Sequence, residues 1–204
     1  EGKLTGDPAQ ERVSAALERL ATALDDYSPG KKSFLGLGKQ QTPPRGIYIH
    51  GPVGRGKSML MDLFFSTVDF EPKRRTHFHD FMAEPHRMVK AWRDKEEGDP
   101  IPRVAKDIAQ EACLLCFDEF HVSDIADAMI LSRLFRALFD QGMVVVATSN
   151  RPPRELYENG INRQLFLPAI DLIERHMDVE LLDGPIDYRL ARLERSRVYF
   201  TPQG

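Results

Sequence analysis

Cysteine is scarce in this chain: only Cys113 and Cys116 occur among 204 residues. So few thiols cannot frame a disulfide-held secreted fold, and they point to a reducing compartment. Their CxxC spacing invites a zinc or redox reading, yet "CLLCFD" reads as a strand, where residues three apart point to opposite faces. Both are therefore expected as buried core thiols. A run of eighteen apolar residues is missing, so no segment is expected to span a bilayer. So is a leader of basic, then apolar, then small residues. The chain opens on Glu1 rather than methionine, as expected of a piece trimmed from something longer. An excess of one charge is absent too: 28 Lys and Arg face 31 Asp and Glu, a net charge of -3. That balance leaves no electrostatic footprint for indiscriminate nucleic-acid binding, only room for a local basic patch. There is no internal repeat and no low-complexity tail. What remains, 23.2 kDa with 42% hydrophobic residues, suits one α/β domain with a sizeable core and a small appendage at most.

Periodicity divides the chain into alternating elements. Asp7-Pro8 followed by Gln10 resembles a capped helix start, and Val13, Ala16, Leu17, Leu20, Ala21 and Leu24 then recur at helical spacing. Tyr27 to Pro44 is rich in Gly, Pro and Lys and reads as a loop or linker. "GIYIH", Gly46 to His50, is a short apolar strand, and "KSMLMDLFFST" suits a helix buried over much of its surface. "RRTHFHDF" reads as the next strand and "MVKAWRDKEE" as a polar-faced helix ended by "GDPIP". A helix from Arg103 to about Gln110 precedes the strand "CLLCFD". The stretch from Asp124 to Asp140 predicts a helix with an apolar stripe of Ile125, Met129, Leu131, Leu134, Phe135, Leu138 and Phe139. "MVVVATSN" is a buried strand, "LPAIDLIERH" a helix, and the segment after it looks strand-rich. Strands separated by helices imply crossover units: a mostly parallel sheet in a three-layer α/β fold. The organisation expected is a helix and linker over 1–44, a core over 45–190 and the start of a further region over 191–204.

Gly51, Pro52, Val53, Gly54, Arg55, Gly56, Lys57 and Ser58 fit the pattern Gly, four free positions, Gly, Lys, Ser/Thr. Glycines let the backbone turn sharply and aim successive N–H groups inward, forming a concavity for anions. The following helix adds the positive end of its dipole. Lys57 would carry charge to the β and γ phosphates, and the Ser58 hydroxyl would ligate Mg²⁺. Arg55 holds a free position and is assigned nothing beyond backbone donation. A plain glycine turn is the alternative, but a strand before and a helix after are the surroundings a phosphate loop requires.

Two further strand ends carry polar groups. "LLCFDEF" ends in Asp118 and Glu119, and the carboxyl ends of strands in an α/β sheet open onto the ligand crevice. Asp118 suits a role in holding Mg²⁺ through bound water, and Glu119 suits a base that polarises an attacking water. On their own, acids at a strand end are commonly solvated. "VVVATSN" ends in Asn150, whose amide could hold water and γ-phosphate in line; its alternative is a turn-forming asparagine before Arg-Pro-Pro. His77 and His79 flank Phe78 and on a strand would share a face, but two ligands are too few for zinc and His86 is too loosely placed to make a third. Lys73 to Arg75 is expected as a solvated turn, and Phe64-Phe65 as core.

The stretches "GIYIHGPVGRGKSMLMDLFF", "HFHDFM", "LLCFDEFHVSDIADAMIL", "VVVATSNRPPRELYENGINRQLFLPAI" and "DYRL" together resemble the AAA+ ATPases of the ZapE family, bacterial cell-division proteins with mitochondrial relatives. The phosphate loop is shared by a very large class, whereas the segments around "DEF" and "TSNRPP" are narrower signals. The resemblance implies a P-loop NTPase (AAA+) core in which Gly51 to Ser58 hold ATP, Ser58 and Asp118 hold Mg²⁺, Glu119 activates water and Asn150 is a polar sensor. It further implies that Arg163 reaches from one subunit into the ATP site of the next, in a homo-oligomeric ring such as a hexamer; Arg151 is the runner-up. Taken alone, Arg163 reads as a surface arginine on a turn. By resemblance the client is a protein, the FtsZ division ring, in the bacterial cytoplasm, and no nucleic-acid partner is expected. The family carries a small helical lid after the core, and since this chain stops at Gly204, most of it is expected to be missing. Three other readings compete: an ATP-switched adaptor on single-stranded DNA resembling helicase loaders, a mitochondrial-type quality-control ATPase, and a small-molecule kinase.

Overall fold

Among the described residues, β-branched runs bounded by glycine and proline, alternating with amphipathic stretches, resolve into five strands and six α-helices. The computed structural model describes residues 7–29, 41–93 and 98–184. The strands are β1 (Gly46–His50), β2 (Lys73–His77), β3 (Leu114–Asp118), β4 (Val144–Ser149) and β5 (Met177–Leu181). All pair in parallel, in the order β2-β3-β4-β1-β5. The helices are α1 (Pro8–Asp25), α2 (Lys57–Thr67), α3 (Phe78–Arg93), α4 (Ile101–Glu111), α5 (Ile125–Asp140) and α6 (Leu167–His176).

Parallel strands at the centre of a sheet must be covered on both faces, and here two cores do so. Ile47, Ile49, Leu114, Cys116, Val144 and Val146 face α1 and α2. Tyr48, Leu115, Phe117, Val145 and Ala147 face the helices α3 to α6. On that second face Phe117 meets Phe78, Phe81 and Phe135 at centroid distances of 5.6, 4.7 and 6.5 Å. Each such buried side chain stabilises the fold by about 1.5–3 kcal/mol. Asp7 caps α1, accepting from the Ala9 amide at 2.9 Å, and α1 lays Val13, Leu17, Leu20 and Leu24 into the first core.

Several expectations need correction. The strand expected over "RRTHFHDF" stops at His77, and α3 begins at Phe78, ten residues before the helix expected at Met88. His77 and His79 therefore do not share a strand face. Lys73 to Arg75 are not a solvated turn; they form the start of β2, whose edge position accommodates half-buried cations. Cys113 lies just ahead of β3 and is only half-buried, while Cys116 is buried with its thiol pushed up to about 12 by burial; both pack against the same core, not opposite ones. Ile125 and Met129 are 36% and 54% exposed, so the core stripe of α5 begins at Ala128. Phe65 is only partly buried, unlike Phe64. Helix α4 begins at Ile101 instead of Arg103. Much of the linker, the segment "DYRL", the strand-rich end beyond 184 and any lid lie outside the described residues.

Arg45 ties the sheet to α6. Its guanidinium donates to the carbonyls of Glu174 (3.0 Å), Arg175 and Met177 (2.7 Å), and to Asp178 Oδ1 at 2.6 Å. Carbonyls at a helix C-terminus otherwise lack partners, and a cation there also suits the dipole. Arg45→Ala is expected to cost about 1–3 kcal/mol, seen as a lowered midpoint in urea unfolding with an unchanged slope.

Candidate active site

The strand order places β4 between β1 and β3, so the loop leaving β1 and the acids ending β3 stand about 10 Å apart at the same sheet edge. The sequence leaving β1 cannot continue as strand. Gly51 has φ 152°, and a Cβ there would meet the Leu182 carbonyl oxygen at 2.1 Å. The loop is held from both sides, since the Gly51 amide donates to the Ser149 carbonyl at 3.3 Å and the Leu182 amide to that of His50 at 2.7 Å. Gly56, in the left-handed region at φ 89°, is the N-cap of α2 and offers no side chain to the first turn. The opening amides of α2, which have no acceptor within the helix, are thus presented at the mouth of the loop.

Lys57 folds back over this loop, its Nζ donating to the carbonyls of Gly51 at 2.7 Å and Pro52 at 2.8 Å. The ammonium is held over the concavity by the loop itself. Ser58 is exposed on the first turn of α2. Gln10 of α1 donates to the Arg55 carbonyl at 3.1 Å, while Arg55 Nε and Nη1 are buried without a partner. His50, at the mouth of the loop, is drawn below its ordinary pKa by burial, with Glu155 opposing and Lys57 adding to the effect.

At the end of β3, Asp118 is 7% exposed. Its Oδ2 accepts from Arg75 Nε at 2.7 Å, whereas its Oδ1 is buried with no partner. An orphaned carboxylate oxygen beside an anion cradle fits a hydrated divalent cation, which needs oxygen ligands and brings water of its own. Glu119 follows, exposed, with φ 55°. That conformation is fixed by β4: the Glu119 amide donates to Thr148 Oγ1 at 3.2 Å, the Phe120 amide to the Thr148 carbonyl at 2.7 Å, and Ser149 Oγ to the Phe120 carbonyl at 2.8 Å. Buried Thr148 and Ser149 thus lock the corner that presents Glu119.

Asn150 lies exposed in the bend after β4, next to Arg151, whose carbonyl accepts from Tyr48 Oη at 3.0 Å. Strand pairing therefore gathers Gly51 to Ser58, Asp118, Glu119 and Asn150 along one edge. Arg163 belongs to a different loop. There Tyr157 packs its ring where a Cβ on Gly160 would sit, its Oη donates to the Ile161 carbonyl at 3.0 Å, and Asn162 is left-handed at φ 56°. Arg163 then opens the short 3₁₀ turn Arg163–Leu165, donating through Nη2 to the Arg154 carbonyl at 2.6 Å while its Nε is buried without a partner. Around it Ile161 and Leu165 are 71% and 48% exposed.

Arg75 is the residue that motif reading missed. Besides Asp118 it binds Asp62 of α2; burial works to lower the pKa of its guanidinium, but the hydrogen bonds and the negative charges of the two aspartates together raise it. The signal is indirect: β2 pairs Arg75 with Cys116, two residues before Asp118 and so on the same sheet face. A cleft of about 190 Å³ lined by Lys106, Gln110, Cys113, Gln141 and Met143 lies at the opposite, N-terminal edge of the strands, away from this chemistry. Among the described residues no helix is long and apolar enough to cross a membrane.

Residues 1–204 match the family model described as AFG1-like ATPase. The chain is 42% identical over 214 residues to the cell division protein ZapE of Escherichia coli K12, covering 99% of this chain and 56% of that protein. It is 49% identical over 168 residues to lactation elevated protein 1 homolog B of Danio rerio, covering 78% of this chain and 33% of the relative. The chain spans about half the length, or less, of these curated relatives. Among solved structures, domain III of the Thermotoga maritima replication initiation protein DnaA superposes with a TM-score of 0.61 at 19% identity, covering 95% of this chain and 72% of that one. DnaI superposes with 0.59 at 16% identity, covering 93% and 88%. At such identities the likeness speaks to the fold alone.

Proposed function

The chain belongs to the AFG1-like ATPase family, with the α/β core of the P-loop AAA+ ATPases, and from that premise we propose that it hydrolyses ATP with Mg²⁺ as part of a homo-oligomer that remodels a protein partner. The observation that carries this reading is the orphaned Oδ1 of Asp118 at the same sheet edge as a lysine-covered glycine loop.

The amides of Gly51 to Ser58 bind the triphosphate, and Lys57 exchanges its loop carbonyls for phosphate oxygens. The Ser58 hydroxyl and Asp118 would hold Mg²⁺, which when bound neutralises charge on the phosphates. Glu119 accepts a proton from water as its oxygen bonds to the γ-phosphorus; the bond from that phosphorus to the β–γ bridging oxygen breaks, leaving ADP and phosphate. Asn150 orients the water. Arg163 of a neighbouring copy stabilises the developing charge, and exposed Ile161 and Leu165 around it, with Val53, Met59 and Leu63 around the loop, suit a contact between copies. In this reading the protein acts in the bacterial cytoplasm, at the division site, with the FtsZ ring as client; the relative's name, cell division protein, supports that assignment.

The test is phosphate release measured against protein concentration. Specific activity is expected to rise with concentration as sites are completed between copies. Flat specific activity with phosphate appearing on a metabolite would favour a kinase, and stimulation by single-stranded DNA a loader-like adaptor.

A further inference from the structure

We propose that Arg75 is a positioning residue for the metal-binding carboxylate: by gripping Asp118 Oδ2 and Asp62 together, it turns Asp118 Oδ1 toward the cation and joins that carboxylate to the helix of the phosphate loop. The proposal rests on the nucleotide-binding reading above.

A carboxylate oxygen as buried as those of Asp118 needs a hydrogen-bonding partner, and Arg75 supplies one through Nε at 2.7 Å. A planar guanidinium fixes the rotation of the carboxylate as well as its charge, unlike a point-charge ammonium. With Oδ2 engaged, Oδ1 is the oxygen left to face a ligand, and it is the one without a partner. The other end of the fork, Nη1, binds Asp62 on α2, whose first turn carries Lys57 and Ser58. One side chain thereby links β2, β3 and α2.

Charge and geometry oppose each other here, which makes the idea decidable. Asp62, Arg75 and Asp118 together carry one negative charge, the same as Asp118 alone. Removing Arg75 raises the negative charge beside the cation, so charge alone predicts tighter Mg²⁺ binding. Loss of positioning predicts weaker binding, by about 10- to 100-fold for residues that orient metal ligands.

The experiment titrates the intact chain with N-methylanthraniloyl-ATP, with Mg²⁺ and with EDTA, for wild type, Arg75→Gln and Arg75→Lys. In Arg75→Gln the gain in affinity that Mg²⁺ confers is expected to fall at least about tenfold, with the affinity in EDTA close to wild type. Arg75→Lys should lie between. The double variant Arg75→Gln/Asp118→Asn should lose no more than Asp118→Asn, since both act through one oxygen. An unchanged or larger Mg²⁺ gain in Arg75→Gln overturns the proposal, as does an equal loss in EDTA. If Arg75→Gln fails to fold by thermal melting, Arg75→Lys and the Asp118 comparison decide alone: a wild-type Mg²⁺ gain in Arg75→Lys overturns it. A wild-type chain that binds no nucleotide would instead sink the underlying reading.

Discussion

Glu119→Gln is expected to bind ATP within about threefold of wild type and to lose about 10²- to 10⁴-fold in turnover, the range for removing a general base. The two side chains have the same length and shape, and neither is branched at Cβ, so the left-handed backbone at φ 55° is retained. The three hydrogen bonds that fix this corner run through the backbone of residues 119 and 120, with Thr148 and Ser149 as partners, and do not involve the Glu119 side chain. What disappears is the proton acceptor. Equilibrium binding of N-methylanthraniloyl-ATP beside single-turnover phosphate release separates the two quantities. Turnover within threefold of wild type would remove Glu119 from the chemistry.

Arg163→Ala should lose about 10³- to 10⁵-fold in turnover at concentrations where copies assemble, while nucleotide affinity of the isolated subunit is unaffected. The reason lies in where the side chain sits. Within its own chain Arg163 is bonded to the Arg154 carbonyl, in a loop distinct from the Gly51 to Ser58 cradle, and its Nε is buried with no partner. A guanidinium that serves only its own loop would leave hydrolysis intact when removed. One that completes a neighbour's site would abolish it, and mixing Arg163→Ala with Glu119→Gln subunits would then restore activity at the mixed seams, where an intact Glu119 meets an intact Arg163. Absence of any recovery in the mixture, with assembly verified by sedimentation, would count against the shared site.

The cradle was legible because its chemistry is local: three glycines, a lysine and a serine at fixed spacing between a β-branched run and an apolar helix. Strand β1 and helix α5 were legible for a related reason, since Gly46 and the Asp124 cap mark their starts. The errors have physical causes too. "RRTHFHDF" overruns its strand because Phe78, the first residue of α3, keeps the alternation going. Strand β2 hid behind its charges: an edge strand can carry Lys73, Arg74 and Arg75, which composition alone assigns to a turn. Ile125 and Met129 fit the apolar period of α5, yet they lie on its solvent side, while Ala128 and Leu131 meet the core. Arg75 could not be picked out from spacing, because its bond to Asp118 exists only once β2 is registered against β3.

The left-handed corner at Glu119 acts as a sieve on what the position can become. Valine, isoleucine and threonine are turned away by their forked Cβ before any question of acidity arises, whereas glycine, asparagine and aspartate pass readily. A saturation library at this codon should therefore split its inactive members into two populations, one well folded and still able to take up nucleotide, the other sprung open where the third and fourth strands are laced together.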